Sequence, residues 1–266
     1  MADKSLKRIE RLFHAAIKLR GQERDEYLTR VCGSDNALRH NIESLIAASF
    51  RYKPPPINEP SEPVTFASEA IAVVDMVQAT ATSDRFGWYA VGRNLVRELR
   101  QMIATVGKDT GLSCIKSTGD GFLLTIRNGA AAELAAVEAV RMMLKLLERL
   151  AIRNEMLPEE RHIDIRAAVH FGEVDVLEQD REGPNVSYTF RIEAVGRGNL
   201  PEALNPLTPS EFPLHNYVLC SERVNDILRK RNYPCDSTSC GLFKLRGFSG
   251  WSELFLIKTT NSNVVH

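Results

Sequence analysis

The apolar positions after about residue 64 alternate between a two-residue and a 3.6-residue period, so strands and helices are expected to alternate. Ala70 to Val74 reads as a short buried strand ending at Asp75. Val91, Leu95, Leu99 and Ile103 mark one face of a helix that closes near Gly107. Leu112 to Ser117 and Phe122 to Ile126 are two strands flanking Gly119-Asp120-Gly121, a strong local signal for a hairpin. A helix over about Ala130 to Leu150 follows, then a buried strand from Ile163 to His170 that continues past Gly172 into Val174. A helix over about Val186 to Ala194, a strand at Tyr217 to Cys220, a helix after Ser221 and two terminal strands around Gly247 complete the pattern. The order strand, helix, hairpin, helix, strand predicts a ferredoxin-like α+β sheet with helices on one face.

The first fifty residues have a different character. Ile9, Leu12, Phe13, Ala16 and Ile17 recur at helical spacing, and Leu38, Ile42, Leu45 and Ile46 repeat the pattern after the capping candidates Ser34 and Asp35. Helices this short must pack on one another, on the rest of the chain or on a partner. Residues 1–50 are therefore expected to form a helical regulatory or dimerising segment, open to a regulatory protein. The stretch RLFHAAIKLRGQERDEYLTRVCGSDNALRHNIESLIAAS resembles a helical stretch at the start of many bacterial serine/threonine kinases, although no kinase motif follows. That likeness implies a bacterial signalling context. KPPPINEPSEP, with five prolines in eleven positions, predicts a semi-rigid linker, placed at residues 51–67, and a second domain over 68–260.

Composition narrows the partners. Thirty-four basic residues balance thirty-four acidic ones among 266, which argues against a nucleic-acid binder relying on phosphate neutralisation. Cys32, Cys114, Cys220, Cys235 and Cys240 form no CxxC pair, as expected of reduced thiols in the cytoplasm and not of a zinc site. The N-terminal MADKSLKRIE lacks the apolar core of a secretory signal, and Ala130 to Leu150 is interrupted by Glu133, Glu138, Arg141, Lys145 and Glu148. No membrane association is expected.

Candidate chemistry centres on Asp75 and Asp120. In the expected topology the hairpin lies beside the first strand, so the two carboxylates converge, and hard divalent cations require such oxygen ligands. Each residue also has a plain structural reading, as turn chemistry or as a strand-end cap. Four stretches together resemble the catalytic domain of class III nucleotidyl cyclases: VVDMVQAT, IKSTGDGFL, IRAAVHFGEV and GPNVSYTFRIEAV. The resemblance implies the cyclase fold and an adenylate cyclase that converts ATP to cyclic AMP and pyrophosphate. It further implies that Asp75, Asp120 and the carbonyl of Met76 hold two magnesium or manganese ions, and that Arg191 stabilises the phosphate in the transition state. Lys116 and Asp180 match the positions that read adenine, a carboxylate accepting from its amino group and repelling the guanine carbonyl. Asp180 reads equally as a solvated loop residue, and Arg191 as a surface one.

The sequence also departs from the family. Ser187 stands where an asparagine orients the ribose, Gln78 and Ala79 replace a glycine and a phenylalanine, and Phe248 falls where many relatives have a phosphate-binding lysine. Arg246 reads either as supplying that charge or as a sheet-edge residue. The resemblance implies a head-to-tail homodimer, with the metal aspartates from one subunit and Lys116, Asp180, Ser187 and Arg191 from the other. The alternatives are a catalytically weak cyclase-like module that binds nucleotide or a partner, and a pyrimidine nucleotide cyclase.

Overall fold

A computed structural model describes residues 65–77, 92–129, 131–178, 180–205 and 207–259 of one unit. It describes residues 12–51 of another, apart from positions 14, 18, 20 and 34. Contacts divide the chain between Pro63 and Val64. Gln78, Ala79, Ser34, Val91 and the whole of the proline-rich stretch KPPPINEPSEP lie outside the described residues.

In the smaller unit, α1 (Gly21–Cys32) and α2 (Asn36–Arg51) bury Leu28, Cys32, Leu38, Ile42 and Ile46 together with Leu12 and Ala16. Neither helix is long enough to persist alone, so this shared apolar seam supplies their stability. The Asp35 carboxylate accepts from the Leu38 N–H at 2.9 Å and caps α2, as its sequence position predicts.

The larger unit is a nine-stranded sheet in the order β2-β3-β1-β4-β7-β9-β8-β6, with β5 pairing β4. Its elements are β1 (Thr65–Met76), α3 (Arg93–Val106), β2 (Leu112–Ser117), β3 (Phe122–Ile126), α4 (Leu134–Glu155), β4 (Ile165–Val176) and β5 (Arg181–Glu182). They continue with α5 (Pro184–Glu193), β6 (Ala203–Leu204), β7 (Tyr217–Ser221), α6 (Glu222–Lys230), β8 (Cys235–Phe243) and β9 (Ser252–Thr259). The hairpin strands fall where the alternation places them, whereas β1 begins five positions before the apolar run at Ala70.

Side chains alternate faces along a strand, so register assigns each residue to a layer. Ala70, Ala72, Val74 and Met76 of β1 join Ala167, Val169 and Phe171 of β4 under α3, α4 and α6. Within α3, Leu95, Leu99, Ile103 and Val106 recur at helical spacing and all face this core. Each contributes about 1.5–3 kcal/mol by burial.

The expectation of helices on one face needs correction, because α5 covers the other. Ile71, Val73, Leu123 and Val174 are apolar on that side too, and they pack on Val186 of α5. A sheet apolar on both faces requires cover on both. Close approach of α5 depends on Gly172, where an added Cβ would meet the Asn185 amide at 2.4 Å.

Candidate active site

The candidate residues of the sheet share the α5 face. Asp75 lies opposite Arg166 in the β1–β4 ladder, and Lys116 lies opposite Leu123 in the β2–β3 ladder. Register then places Glu69, Asp75, Arg166 and Lys116 all on the side where α5 carries Ser187, Arg191 and Glu193.

Asp75 terminates β1 beside the hairpin turn. Val74 pairs with Phe122, so Gly121 and Asp120 lie directly past the end of the ladder. Gly121 is a site of close approach: an added Cβ would lie 2.5 Å from the Val74 carbonyl oxygen and 3.1 Å from Asp75 Oδ1. Burial pushes the Asp75 carboxyl up, and the neighbouring Asp120 charge adds to this; a hydrogen bond from Arg166 opposes both. The two aspartates therefore do converge.

Two further participants lie outside the residues singled out from the sequence. Arg166 Nη2 donates to Asp75 Oδ2 at 2.7 Å and lies 3.2 Å from Glu193 Oε1. The second contact is an ion pair by distance without hydrogen-bond alignment, since Glu193 Oε1 and Arg166 Nε are both buried without a hydrogen-bond partner among the described residues. Burial and the charges of Asp75 and Asp120 push the Glu193 carboxyl up to about 7, against the pull of Arg166. A charged residue inside an otherwise apolar strand, as in IRAAVHFG, was the available signal.

A second constellation forms at Lys116. Its ammonium hydrogen-bonds Asp180 Oδ2, and Asp180 Oδ1 accepts from the Arg181 backbone N–H at 2.7 Å. Burial pushes the Asp180 carboxyl up, but the Lys116 hydrogen bond and the Arg181 N–H outweigh it, leaving the group below the usual carboxylate range. The two residues expected to read the base thus meet in one chain.

Ser187 and Arg191 project from α5, four positions apart on one exposed side. Arg246 is exposed between β8 and β9. No hydrogen bond or ion pair among the described residues joins these three to Asp75 or Asp120. Phe248 is half-buried, its ring 5.0 Å from that of Tyr188, which in turn packs edge-on against His170 at 4.8 Å. His170 is held by Ser221 and Asn185, and burial pushes its imidazole down to about 4.

Comparison with solved structures places this architecture. The adenylyl cyclase CyaB from P. aeruginosa superposes with a TM-score of 0.60 over 76% of this chain and 100% of that one, at 14% identity. The guanylate cyclase domain of RhGC from Catenaria anguillulae, solved with GTP, covers 73% of this chain and 98% of its own at 16% identity and a TM-score of 0.56. The fold is that of class III nucleotidyl cyclase catalytic domains. An adenylate/guanylate cyclase/hydrolase from Silicibacter pomeroyi also shares it, with a TM-score of 0.55 over 74% of this chain and 99% of that chain at 20% identity. By sequence, the Rhizobium meliloti protein named Putative adenylate cyclase 3 is 36% identical over 80 residues, which is 30% of this chain and 12% of that protein. No family model matches the chain.

The donor set at this corner of the cyclase fold suits a hard divalent cation. Two carboxylates close enough to repel are relieved by positive charge, and oxygen is the preferred ligand. The Val77 N–H donates to Asp164 O at 2.8 Å, so alternation along the antiparallel ladder turns the Met76 carbonyl away from β4 toward the hairpin. No cluster of three or more His, Cys, Asp or Glu side chains suited to a metal occurs among the described residues. A cation here must therefore complete its shell with backbone, water and ligand oxygens. Among the described residues no helix is long and apolar enough to cross a membrane.

Proposed function

We propose that this chain is a metal-dependent adenylate cyclase of a bacterial signalling system, acting as a homodimer whose sites are shared between subunits. The observation that carries the reading is the convergence of Asp75 and Asp120 past the end of one ladder, with Lys116 joined to Asp180 on the same face. Asp75, Asp120 and the Met76 carbonyl would hold two magnesium or manganese ions, which supply charge that acidifies the ribose 3′-hydroxyl and neutralises the triphosphate.

The protein's own groups supply position and charge. Asp180 accepts from the adenine amino group while Lys116 faces the ring acceptors, and a guanine carbonyl facing the carboxylate is rejected. Ser187 orients the ribose with a hydroxyl, and Arg191, exposed and four positions along α5, meets the α-phosphate charge as it grows. The 3′-oxygen then bonds to the α-phosphorus, the bond to the bridging oxygen breaks, pyrophosphate leaves and the hydroxyl proton passes to solvent. Arg166 neutralises Asp75 between turnovers.

Phe248 favours a second reading, a weakly catalytic nucleotide-binding module, because it is packed on Tyr188 where a phosphate-binding lysine would stand.

Complementation tests the shared-site reading. Asp75→Asn and Arg191→Ala are each expected to be inactive, whereas an equal mixture that exchanges subunits should regain about a quarter of wild-type turnover, one intact site in each mixed dimer. No recovery in a mixture shown to exchange would refute it.

A further inference from the structure

Glu69 is a fully buried carboxylate on the sheet face that also carries Ile71, Val73, Leu123 and Val174. Its partner is Arg181, whose side chain is almost as enclosed: Nε donates to Glu69 Oε2 at 2.7 Å and Nη2 to Oε1 at 3.2 Å. Arg127 Nε lies 3.3 Å from the same carboxylate from a more exposed position. Burying such a pair costs desolvation that an apolar pair of similar volume would avoid, and apolar neighbours already line this face. Stability alone does not account for the choice of residues.

The remaining nitrogen of the guanidinium supplies a reason. Arg181 Nη1 donates to the Asp180 carbonyl at 2.8 Å and to the Leu177 carbonyl at 3.2 Å, while the Leu177 N–H donates to the Asp180 carbonyl at 3.1 Å. One planar fork, fixed on its other side by Glu69, closes the turn between β4 and β5. Leu177 and Glu178 of that turn are exposed, so little else packs it down. Its last residue before β5 is Asp180, with Oδ1 on the Arg181 N–H and Oδ2 on Lys116. A carboxylate discriminates an amino group from a carbonyl only if its free lone pairs point one way, and this turn sets that direction.

We infer that Arg181, anchored by the buried Glu69, is a positioning residue for base selection, holding Asp180 in the orientation that reads the amino edge of adenine. This deepens the proposed adenylate specificity and rests on it. Lysine at 181 keeps a cation on Glu69 but lacks the fork that reaches both turn carbonyls.

The test titrates the full chain, with manganese, against fluorescent non-hydrolysable ATP and GTP analogues. Wild type should favour the ATP analogue, and Arg181→Lys should lower the ratio of the two affinities by about tenfold, the loss of one well-made hydrogen bond. Arg127→Ala, which touches Glu69 without reaching the turn, should leave the ratio unchanged. An unchanged ratio in Arg181→Lys, or an equal fall in Arg127→Ala, overturns the positioning role while leaving the nucleotide site intact. Failure of wild type to bind either analogue overturns the site reading and this inference with it. One readout needs no variant: the Leu177 amide of wild type should exchange slowly with deuterium, and exchange at the rate of an open loop overturns the closed turn.

Discussion

Replacing Asp75 with asparagine separates catalysis from folding. The side chain is about a quarter exposed, accepts one hydrogen bond from Arg166 at 2.7 Å and faces the Asp120 charge. A hydrogen bond to a charged group contributes about 1.5–3 kcal/mol. Asparagine keeps a neutral version of that bond, removes the repulsion from Asp120 and no longer places a charge in a partly desolvated site. The direction of the Asp75 shift supports this balance: a carboxyl whose folded pKa is raised favours the folded state when protonated and disfavours it as pH rises through that pKa. Gain and loss nearly cancel at neutral pH, so urea unfolding at pH 7.5 should give a stability within about 1 kcal/mol of wild type. Manganese-supported turnover should fall on the order of a thousandfold or more, because the proposed metal site loses a ligand. Turnover within tenfold of wild type would refute the metal assignment. A loss of more than about 3 kcal/mol would refute the balance of charges described at this corner.

The other expectations concern the same face. Glu193, pushed up to about 7 mainly by burial, contributes stability that is complete below its unfolded pKa and is lost as pH rises through 7. Buried His170, pushed down to about 4, gains stability over the same range, so the effect is read as a difference: between pH 4.5 and 8 Glu193→Gln should gain about 1–3 kcal/mol relative to wild type in unfolding measurements at the two limits. Gly121→Ala brings a Cβ within 2.5 Å of the Val74 carbonyl and should lower stability by about 1–3 kcal/mol while weakening manganese binding, read by paramagnetic resonance. Leu99→Ala removes a fully buried side chain and should cost about 2–5 kcal/mol in the same unfolding assay. The chain from Val64 onward contains its own apolar cores and should fold without residues 1–63, so comparing its turnover with that of the full chain isolates any effect of the helical segment on turnover.

How legible the fold was depended on whether a signal was local. The hairpin strands announce themselves through alternation around Gly119-Asp120-Gly121, and α3 through the spacing of Leu95, Leu99 and Ile103. The two-residue strands β5 and β6 leave no periodicity to read. Placement of α5 on the second face was hidden for a different reason: Ile71 and Val73 look like ordinary members of a buried strand until register shows which way they point. At the site, the places of Asp75 and Asp120 were readable because a strand end and a turn each have a recognisable composition, while the resemblance of the surrounding motifs made them candidates. Arg166 and Glu193 were not singled out, nor was the Glu69–Arg181 pair, whose partners lie 112 residues apart in the chain. Long-range ion pairs carry no sequence period, so only the oddity of a charge within an apolar run hints at them.

Product analysis reaches the central claim most directly. Purified protein incubated with manganese and, separately, ATP, GTP, UTP and CTP should release cyclic AMP and pyrophosphate from ATP in clear excess over any other cyclic product. A folded dimer that forms no cyclic nucleotide from any of the four, or that cyclises a pyrimidine alone, would contradict the account.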